Sequence, residues 1–217
     1  MKVISASILS ADLCNLAGQL PSLEKEAGWL HLDVMDGLFV PNISFGFPFI
    51  KSLRPKTKML FDTHLMVAKP ERFLPNSAEA GSDSITFHLE ASKSPLQAIK
   101  QIHSLGKKAG IALNLETPAE KAFPFLHEAD LALVMGVKAG FGGQALDQKA
   151  IEKVRIFRQK IDSQCLPTVI SLDGGVNMQT GKSVLEAGAN VLVMGSAVFK
   201  FGTPTDTLVG LKKEFGL

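Results

Sequence analysis

Eight short aliphatic or β-branched runs, each followed by a longer amphipathic run, recur along the whole chain. This alternation predicts an α/β protein of the (β/α)8 TIM-barrel class. No linker, low-complexity run or change in composition divides residues 1–217, so we expect one domain. The length of 217 residues is somewhat compact for this fold, which typically has ~250. A doubly wound open sheet is the competing architecture.

The eight strands are predicted from short runs rich in Val, Ile and Leu. In chain order they are Val3–Ser7, Trp29–Val34, Met59–Leu65, Ser84–Phe87, Ala109–Leu113, Leu131–Met135, Thr168–Leu172 and Val191–Met194.

The eight helices are predicted from amphipathic runs between these strands. Pro95 and Pro118 follow Ser94 and Thr117, which is a typical helix start. The Ala-Gly pairs that end at Gly28, Gly81 and Gly188 predict helix ends just before the next strand. The predicted helices are Leu13–Ala27, Phe49–Leu53, Pro70–Ala80, Pro95–Leu105, Pro118–His127, Lys149–Ile161, Thr180–Ala187 and Asp206–Phe215.

Composition and charge are those of an ordinary soluble protein, with 46% hydrophobic residues. The 23 basic residues nearly balance the 21 acidic ones, which argues against nucleic-acid or anionic-membrane partners. Cys14 and Cys165 form no CxxC pair and are expected to be reduced thiols of a cytoplasmic protein. The first apolar run, Val3–Ile8, lacks a preceding basic region and is too short for a signal peptide or a membrane span.

Four possible metal ligands lie at or near the ends of three predicted strands: His31, Asp33, His64 and Asp173. His31 and Asp33 are two residues apart, so they point to the same face of their strand. The carboxyl ends of barrel strands form the active site, where these side chains would meet. Two imidazoles and two carboxylates suit Zn²⁺, Fe²⁺, Mn²⁺ or Co²⁺, and the ligand types do not choose among them. For His88, at the end of the fourth strand, a hydrogen-bonded core residue is as good an interpretation as a functional residue.

Glycines follow the sixth, seventh and eighth strands and predict a phosphate site. They lie in Gly140-Phe141-Gly142-Gly143, in Gly174-Gly175 and before Ser196 at Gly195. A single glycine after a strand is usually a turn, but three such loops at adjacent strand ends are typical of phosphate binding in barrels. Lys138 is the one basic residue in these motifs, so backbone N–H groups would do most of the binding.

Several of these segments together resemble the ribulose-phosphate 3-epimerase family. They are SASILSADL, HLDVMDGLFVPNISFG, FDTHLMV, LVMGVKAGFGGQ, SLDGGV and MGSAVF, spread from Ser5 to Phe199. The resemblance covers essentially the whole chain, and the HxDxMDGxFVPN segment is its most specific part.

The resemblance implies a metal-dependent epimerase that interconverts D-ribulose 5-phosphate and D-xylulose 5-phosphate in the pentose phosphate pathway. It implies one divalent metal ion on His31, Asp33, His64 and Asp173, with Asp33 and Asp173 as the acid–base pair. Substrate contacts would fall on Ser7, His64, Gly140, Phe141, Gly142, Gly143, Gly174, Gly175, Gly195 and Ser196. Met35, Met66 and Met135 would form an apolar pocket wall, although methionines at such positions are commonly core filler.

The chemistry requires these residue types. Inverting C3 of a 2-ketose removes a proton next to a carbonyl and returns one from the opposite face, so two acid–base groups must flank one carbon. A carboxylate alone is too weak a base for this carbon acid, and the ion must stabilise the charge that develops on the neighbouring oxygens. Either aspartate can be the base in a given direction.

Two other functions stay open at this point. An epimerase of a six-carbon ketose phosphate such as allulose 6-phosphate would use the same residues, and a barrel that binds sugar phosphate without turnover would keep the same loops. The chain departs from the family pattern at Ala6, Gly136, Lys138 and Ala139, where altered substrate affinity is the expected effect. A homo-oligomer is expected because symmetric assembly is common among soluble enzymes.

Overall fold

The computed structural model, which describes residues 2–217, is a closed parallel barrel in which each strand pairs with its neighbours in sequence and β1 pairs with β8. The predicted fold class is therefore confirmed, and the open sheet is excluded. The strands are β1 Val3–Ser7, β2 Trp29–Met35, β3 Leu60–Met66, β4 Ser84–His88, β5 Lys108–Leu113, β6 Leu131–Met135, β7 Val169–Asp173 and β8 Val191–Met194.

The helices pack outside the strands. They are α1 Leu16–Glu26, α2 Phe47–Leu53, α3 Leu74–Glu79, α4 Pro95–Ser104, α5 Gln148–Ser163, α6 Gly181–Glu186, α7 Ser196–Phe199 and α8 Pro204–Phe215, with 3-10 turns at Ile8–Ser10, Arg54–Lys56, Pro70–Arg72, Leu89–Ala91 and Ala119–Phe125. In the described part of the chain, none of the helices has both the length and the apolar character needed to cross a membrane.

Two helix predictions were wrong in detail, and one short helix was missed. The segment predicted as an α-helix from Pro118 to His127 is a 3-10 helix, Ala119–Phe125. Pro124 lies inside it and lacks the N–H that an α-helix would need there. The predicted third helix, Pro70–Ala80, is a 3-10 turn followed by α3, and the short helix α7 after β8 was not predicted.

The main hydrophobic core lies between the barrel and its helices. Side chains alternate along each strand, so Leu30, Leu32 and Val34 of β2 face outward and join this core. Helix residues such as Leu20 and Ile99 cover it from outside. This is the orientation predicted for β2 from its sequence.

The inward faces of the strands are polar to an unusual degree. The buried polar side chains that follow this inward alternation are Ser5, Ser7, His31, Asp33, Asp62, His64, Ser84, Thr86, His88 and Ser171. A much smaller apolar cluster, which includes Met35, Met66 and Met135, lies at the mouth and on the β5–β6 side. The polar side chains therefore lie inside the barrel, while most apolar packing lies outside it.

Gly110 on β5 tests how tightly this interior is packed. It pairs with Thr86 of β4, and a β-carbon at Gly110 would lie 2.1 Å from Thr86 Oγ1. We expect Gly110→Ala to lower the free energy of unfolding by ~1–3 kcal/mol through overpacking, measured by urea unfolding. The control is Gly210→Ala in α8, where the nearest atom is Met178 Cε at 3.9 Å; it should raise stability by ~0.5–1 kcal/mol. A Gly110→Ala protein as stable as the parent would contradict this account.

Candidate active site

Four donor side chains from β2, β3 and β7 converge at the carboxyl end of the barrel: His31, Asp33, His64 and Asp173. One donor atom from each lies within 4.8 Å of all the others. His31 Nε2 and His64 Nδ1 are 3.3 Å apart, and each is also 3.3 Å from Asp33 Oδ1. Asp173 Oδ2 lies 3.7 Å from His31 Nε2 and 3.6 Å from His64 Nδ1. The sequence prediction grouped these four residues, and the structure brings them together.

These separations fit a divalent metal ion. The edge of a tetrahedron is about 1.6 times its centre-to-corner distance, so metal–ligand bonds of ~2.0–2.2 Å require donor separations of ~3.3–3.6 Å. The five donor distances above lie between 3.3 and 3.7 Å. The cluster can therefore hold a divalent metal, although its donor set does not decide which one.

In the metal-free protein, the two histidines and Asp33 shift one another's pKa values in opposite directions. Burial alone would lower the pKa of His31, but the charge of Asp33 and hydrogen bonds to Asp33 and Asp62 outweigh burial and raise that pKa well above its usual value. The pKa of His64 is also raised, against burial, by hydrogen bonds to Asp173 and Asp33. Burial would raise the pKa of Asp33, yet both histidines hold it well below its usual range.

Asp33 is the most constrained carboxylate of the cluster. Its Oδ1 faces the two histidines, and its Oδ2 accepts a hydrogen bond of 2.7 Å from the hydroxyl of Ser7 on β1. Its side chain is 3% exposed, whereas that of Asp173 is 14% exposed. The two carboxylates therefore belong to one cluster but differ in access to the cavity above it.

A cavity opens above the donors and is lined by most of the predicted substrate-binding residues. Those lining it are Ser7, Gly140, Phe141, Gly142, Gly143, Gly174, Gly175, Gly195 and Ser196, with Met35, Met66 and Met135 on the wall. Asp33 and Asp173 also line it. His64 does not, because it is fully buried among the donors. Its predicted contact with substrate stays a prediction.

The glycines of the β7 loop are required by their surroundings. Gly174 and Gly175 have φ angles of +104° and +73°, which residues with a β-carbon rarely adopt. A β-carbon at Gly175 would also lie 2.4 Å from the backbone nitrogen of Leu146. The loop can therefore present bare backbone to the cavity, as anion binding requires.

The loop between β2 and α2 is held by hydrogen bonds to two other segments near the barrel mouth. Asp36 Oδ1 accepts hydrogen bonds from the N–H groups of Leu38 and Phe39, and its Oδ2 accepts one of 2.8 Å from Ala68. Asn42 donates a 2.8 Å hydrogen bond to the carbonyl of Gly140. Asp36 therefore anchors this loop to the segment after β3, and Asn42 ties it to the glycine loop after β6.

Sequence reasoning missed several residues around the site. Ser10 lines the cavity, with Oγ 2.9 Å from where a β-carbon would stand on Gly195. Lys200 Nζ lies 3.8 Å from where a β-carbon would stand on Gly143. Ser10 lies within a quoted motif and Lys200 directly follows one, so proximity in sequence was a usable signal. Asp62 was also missed, because its contact with His31 depends on pairing between strands, which no single run reveals. His88, for which a hydrogen-bonded core residue was one of the two interpretations, is buried and contacts His64.

The positions that depart from the family pattern leave the donors intact. Ala6 belongs to the outer core, and Ala139 is buried at the mouth. A β-carbon at Gly136 would lie 2.1 Å from the carbonyl oxygen of Gly174. Lys138 is exposed and lines a neighbouring cavity with Glu116 and Thr117, rather than the cavity above the donors.

A closed (β/α)8 barrel whose mouth joins a metal-binding donor set to glycine loops defines a class of barrel enzymes that act on small phosphorylated molecules. Within this class the match is specific: residues 3–199 fit the model of the ribulose-phosphate 3 epimerase family. The chain belongs to the ribulose-phosphate 3-epimerase family, and it is therefore an epimerase, an enzyme of the isomerase class.

Individual relatives agree. Over 215 residues the chain is 41% identical to a ribulose-phosphate 3-epimerase of Synechocystis sp., covering 98% of this chain and 94% of the relative. It is 40% identical to the cytoplasmic isoform of ribulose-phosphate 3-epimerase from Oryza sativa, covering 97% and 93%. Among solved structures, a ligand complex of KGPDC from Streptococcus mutans matches with a TM-score of 0.79 over 99% of this chain and 97% of that one. Its 16% identity supports the fold alone.

The charge balance of the donors predicts how the metal-free protein responds to pH. Because folding raises the pKa of His31 and His64, their protonated forms stabilise the fold fully below pH ~6.5, and this contribution is lost as pH rises through the raised values. We therefore expect the free energy of unfolding of chelator-treated protein to fall as pH rises above ~6.5, measured in urea.

Zinc-loaded protein is the control, because metal ligation requires neutral histidines and becomes more favourable as pH rises. Its stability should not fall over the same range. Equal pH dependence with and without zinc would contradict the assignment of the histidine charges.

Proposed function

We propose that this protein is a metal-dependent epimerase that inverts C3 of D-ribulose 5-phosphate to give D-xylulose 5-phosphate, a reaction of the pentose phosphate pathway. The observation that carries the proposal is the meeting of two carboxylates, Asp33 and Asp173, at one cavity and at one metal-binding donor cluster. The family membership supports the reaction, and the glycine loops support a phosphorylated substrate.

The two aspartates stand on different sides of the cavity mouth. Asp33 is on β2 and Asp173 is on β7, and β1 and β8 lie between these strands in the closed sheet. In one direction Asp33 accepts the proton from C3, the C3–H bonding pair forms the enediolate, and Asp173 donates a proton to the opposite face. The reverse reaction exchanges these roles, and each turnover ends with one aspartate protonated and the other ionised.

The residues around Asp33 prepare it for proton transfer. The Ser7 hydroxyl donates a hydrogen bond that fixes the plane of its carboxylate. When bound at His31, Asp33, His64 and Asp173, a divalent cation supplies positive charge that stabilises the negative charge developing on the substrate oxygens. Met35, Met66 and Met135 form an apolar wall, which would exclude water from the reacting carbon.

Three further attributes accompany this proposal. The metal is one of Zn²⁺, Fe²⁺, Mn²⁺ and Co²⁺, the protein is cytoplasmic, and it forms a homo-oligomer. The first is supported by the donor set and the second by the relative from Oryza sativa, which is named as a cytoplasmic isoform. The third rests on how common symmetric assembly is, and sedimentation would measure it.

Epimerase activity should depend on both aspartates. We expect Asp33→Asn and Asp173→Asn proteins each to lose at least ~10³-fold in epimerisation of D-ribulose 5-phosphate while remaining folded, because each loses a proton-transfer group and a metal ligand. In D2O, product of the parent enzyme should carry deuterium at C3, measured by NMR. Chelation should abolish turnover and a restored divalent ion should recover it.

Two results would overturn the proposal. An active variant at either aspartate would remove the two-base scheme, and a well-folded, metal-loaded parent without turnover would remove the epimerase function. Allulose 6-phosphate is the comparison substrate. A preference for it would keep the mechanism and change the substrate to a hexulose phosphate.

Binding of the substrate phosphate should depend on Lys200 rather than on Lys138. Lys200 lies beside Gly143, so its charge should attract the substrate phosphate, whereas Lys138 faces a neighbouring cavity. We expect Lys200→Ala to raise KM for D-ribulose 5-phosphate by about threefold to tenfold, with kcat little changed, because the ion pair is partly exposed. Lys138→Ala is the matched control and should leave KM unchanged. A larger KM effect at Lys138 would reverse the assignment.

A further inference from the structure

The two histidine ligands have different partners on the side away from the cavity. His31 Nδ1 lies 2.9 Å from Asp62 Oδ2, which is the common pairing of a metal-ligating histidine with a carboxylate. His64 Nε2 instead lies 2.9 Å from His88 Nε2. A second imidazole therefore stands where a carboxylate would be usual.

The atoms that face one another fix where the protons must be when a metal is bound. His64 Nδ1 faces the donor cluster, so it must be unprotonated to ligate a metal, and the ring proton must be on Nε2. His88 Nε2 must then accept that hydrogen bond. The proton of neutral His88 is consequently on Nδ1, which lies 3.4 Å from Glu90 Oε2, an electrostatic contact rather than a hydrogen bond.

The surroundings hold His88 in this role. His88 is fully buried, and the Phe39 ring packs on it with ring centres 4.7 Å apart. Glu90 is itself fixed, because it accepts hydrogen bonds from the backbone N–H of Asn114 and the hydroxyl of Thr117.

A neutral acceptor also limits the charge at the site. Asp33, Asp173 and Asp62 already place three carboxylates on or next to the ligands. A fourth in contact with His64 would add buried negative charge that one divalent ion cannot balance. The His88 imidazole separates Glu90 from His64. The side chain of Glu90 is 24% exposed, so water stabilises its charge.

We propose that His88, backed by Glu90, is a positioning residue that holds His64 in the tautomer presenting Nδ1 to the metal. This inference rests on the metal site of the proposed function and assigns a role to residues outside the donor cluster. It implies that the metal affinity depends on β4 and the loop after it, although neither supplies a ligand.

The test compares zinc affinities, measured by competition with a chromophoric chelator. We expect His88→Leu, which removes the acceptor, to weaken zinc binding ~10–100-fold. His88→Gln keeps an oxygen that can accept from His64 and should recover most of the affinity. The matched control is Ser84→Ala, which alters another buried, inward-facing side chain of β4 that has no hydrogen-bond partner among the described residues. It should leave zinc binding unchanged.

A second measurement uses the parent protein and does not require His88→Leu to fold. In zinc-loaded parent protein, ¹⁵N–¹H correlation spectra should show His64 protonated on Nε2 and His88 protonated on Nδ1. Zinc on His64 Nε2, or affinity unchanged in folded His88→Leu, would overturn the inference. A parent protein that binds no zinc or other divalent ion would instead overturn the metal site of the proposed function.

Discussion

The structure depends on bringing two imidazoles and two carboxylates into mutual contact at a nearly dry barrel mouth. Such groups are costly to bury unless each meets a partner of suitable charge. Asp33 provides the central contact, because one of its oxygens faces both histidines while the other accepts from Ser7. The pairing of Asp33 with His64 and of His31 with Asp62 across β2 and β3 then sets the register of these two strands. A slip by one residue would place these groups in the apolar outer core.

The barrel separates what stabilises it from what gives it chemistry. Outward residues such as Leu32 and Phe61 pack under the helices in one large apolar cluster. Inward residues form a polar column in which hydrogen bonds connect β1 to β2, β2 to β3 and β3 to β4. Because the column is rigidly enclosed, its members are oriented before any ligand arrives, which is what a site requiring opposed proton donors and acceptors needs.

The sequence predicted the barrel, its strand order and the four donors because each depends on alternation within a strand or on the shared location of strand ends. It failed where the deciding contact is made between distant segments. Asp62 looks like an ordinary strand residue, and His88 like a hydrogen-bonded core histidine, until the register places them behind His31 and His64. Lys138 lies in a conspicuous motif yet faces elsewhere, whereas Lys200 reaches the glycine loop only after the chain has passed through α7. The predicted fifth helix is a 3-10 helix, because Pro124 inside it lacks the N–H that an α-helix would need there.

The polar column has an evolutionary consequence. Since the outer core carries most of the apolar packing, a substitution on an inward strand face changes chemistry with little loss of the contacts that hold the barrel together. Descendants of such a protein can therefore exchange apolar wall residues and stay above the stability needed to fold. The same arrangement leaves the column little tolerance for random drift, because an unpaired buried charge is penalised at once. Substitutions should therefore be tolerated more often outside the strands than on the strands themselves.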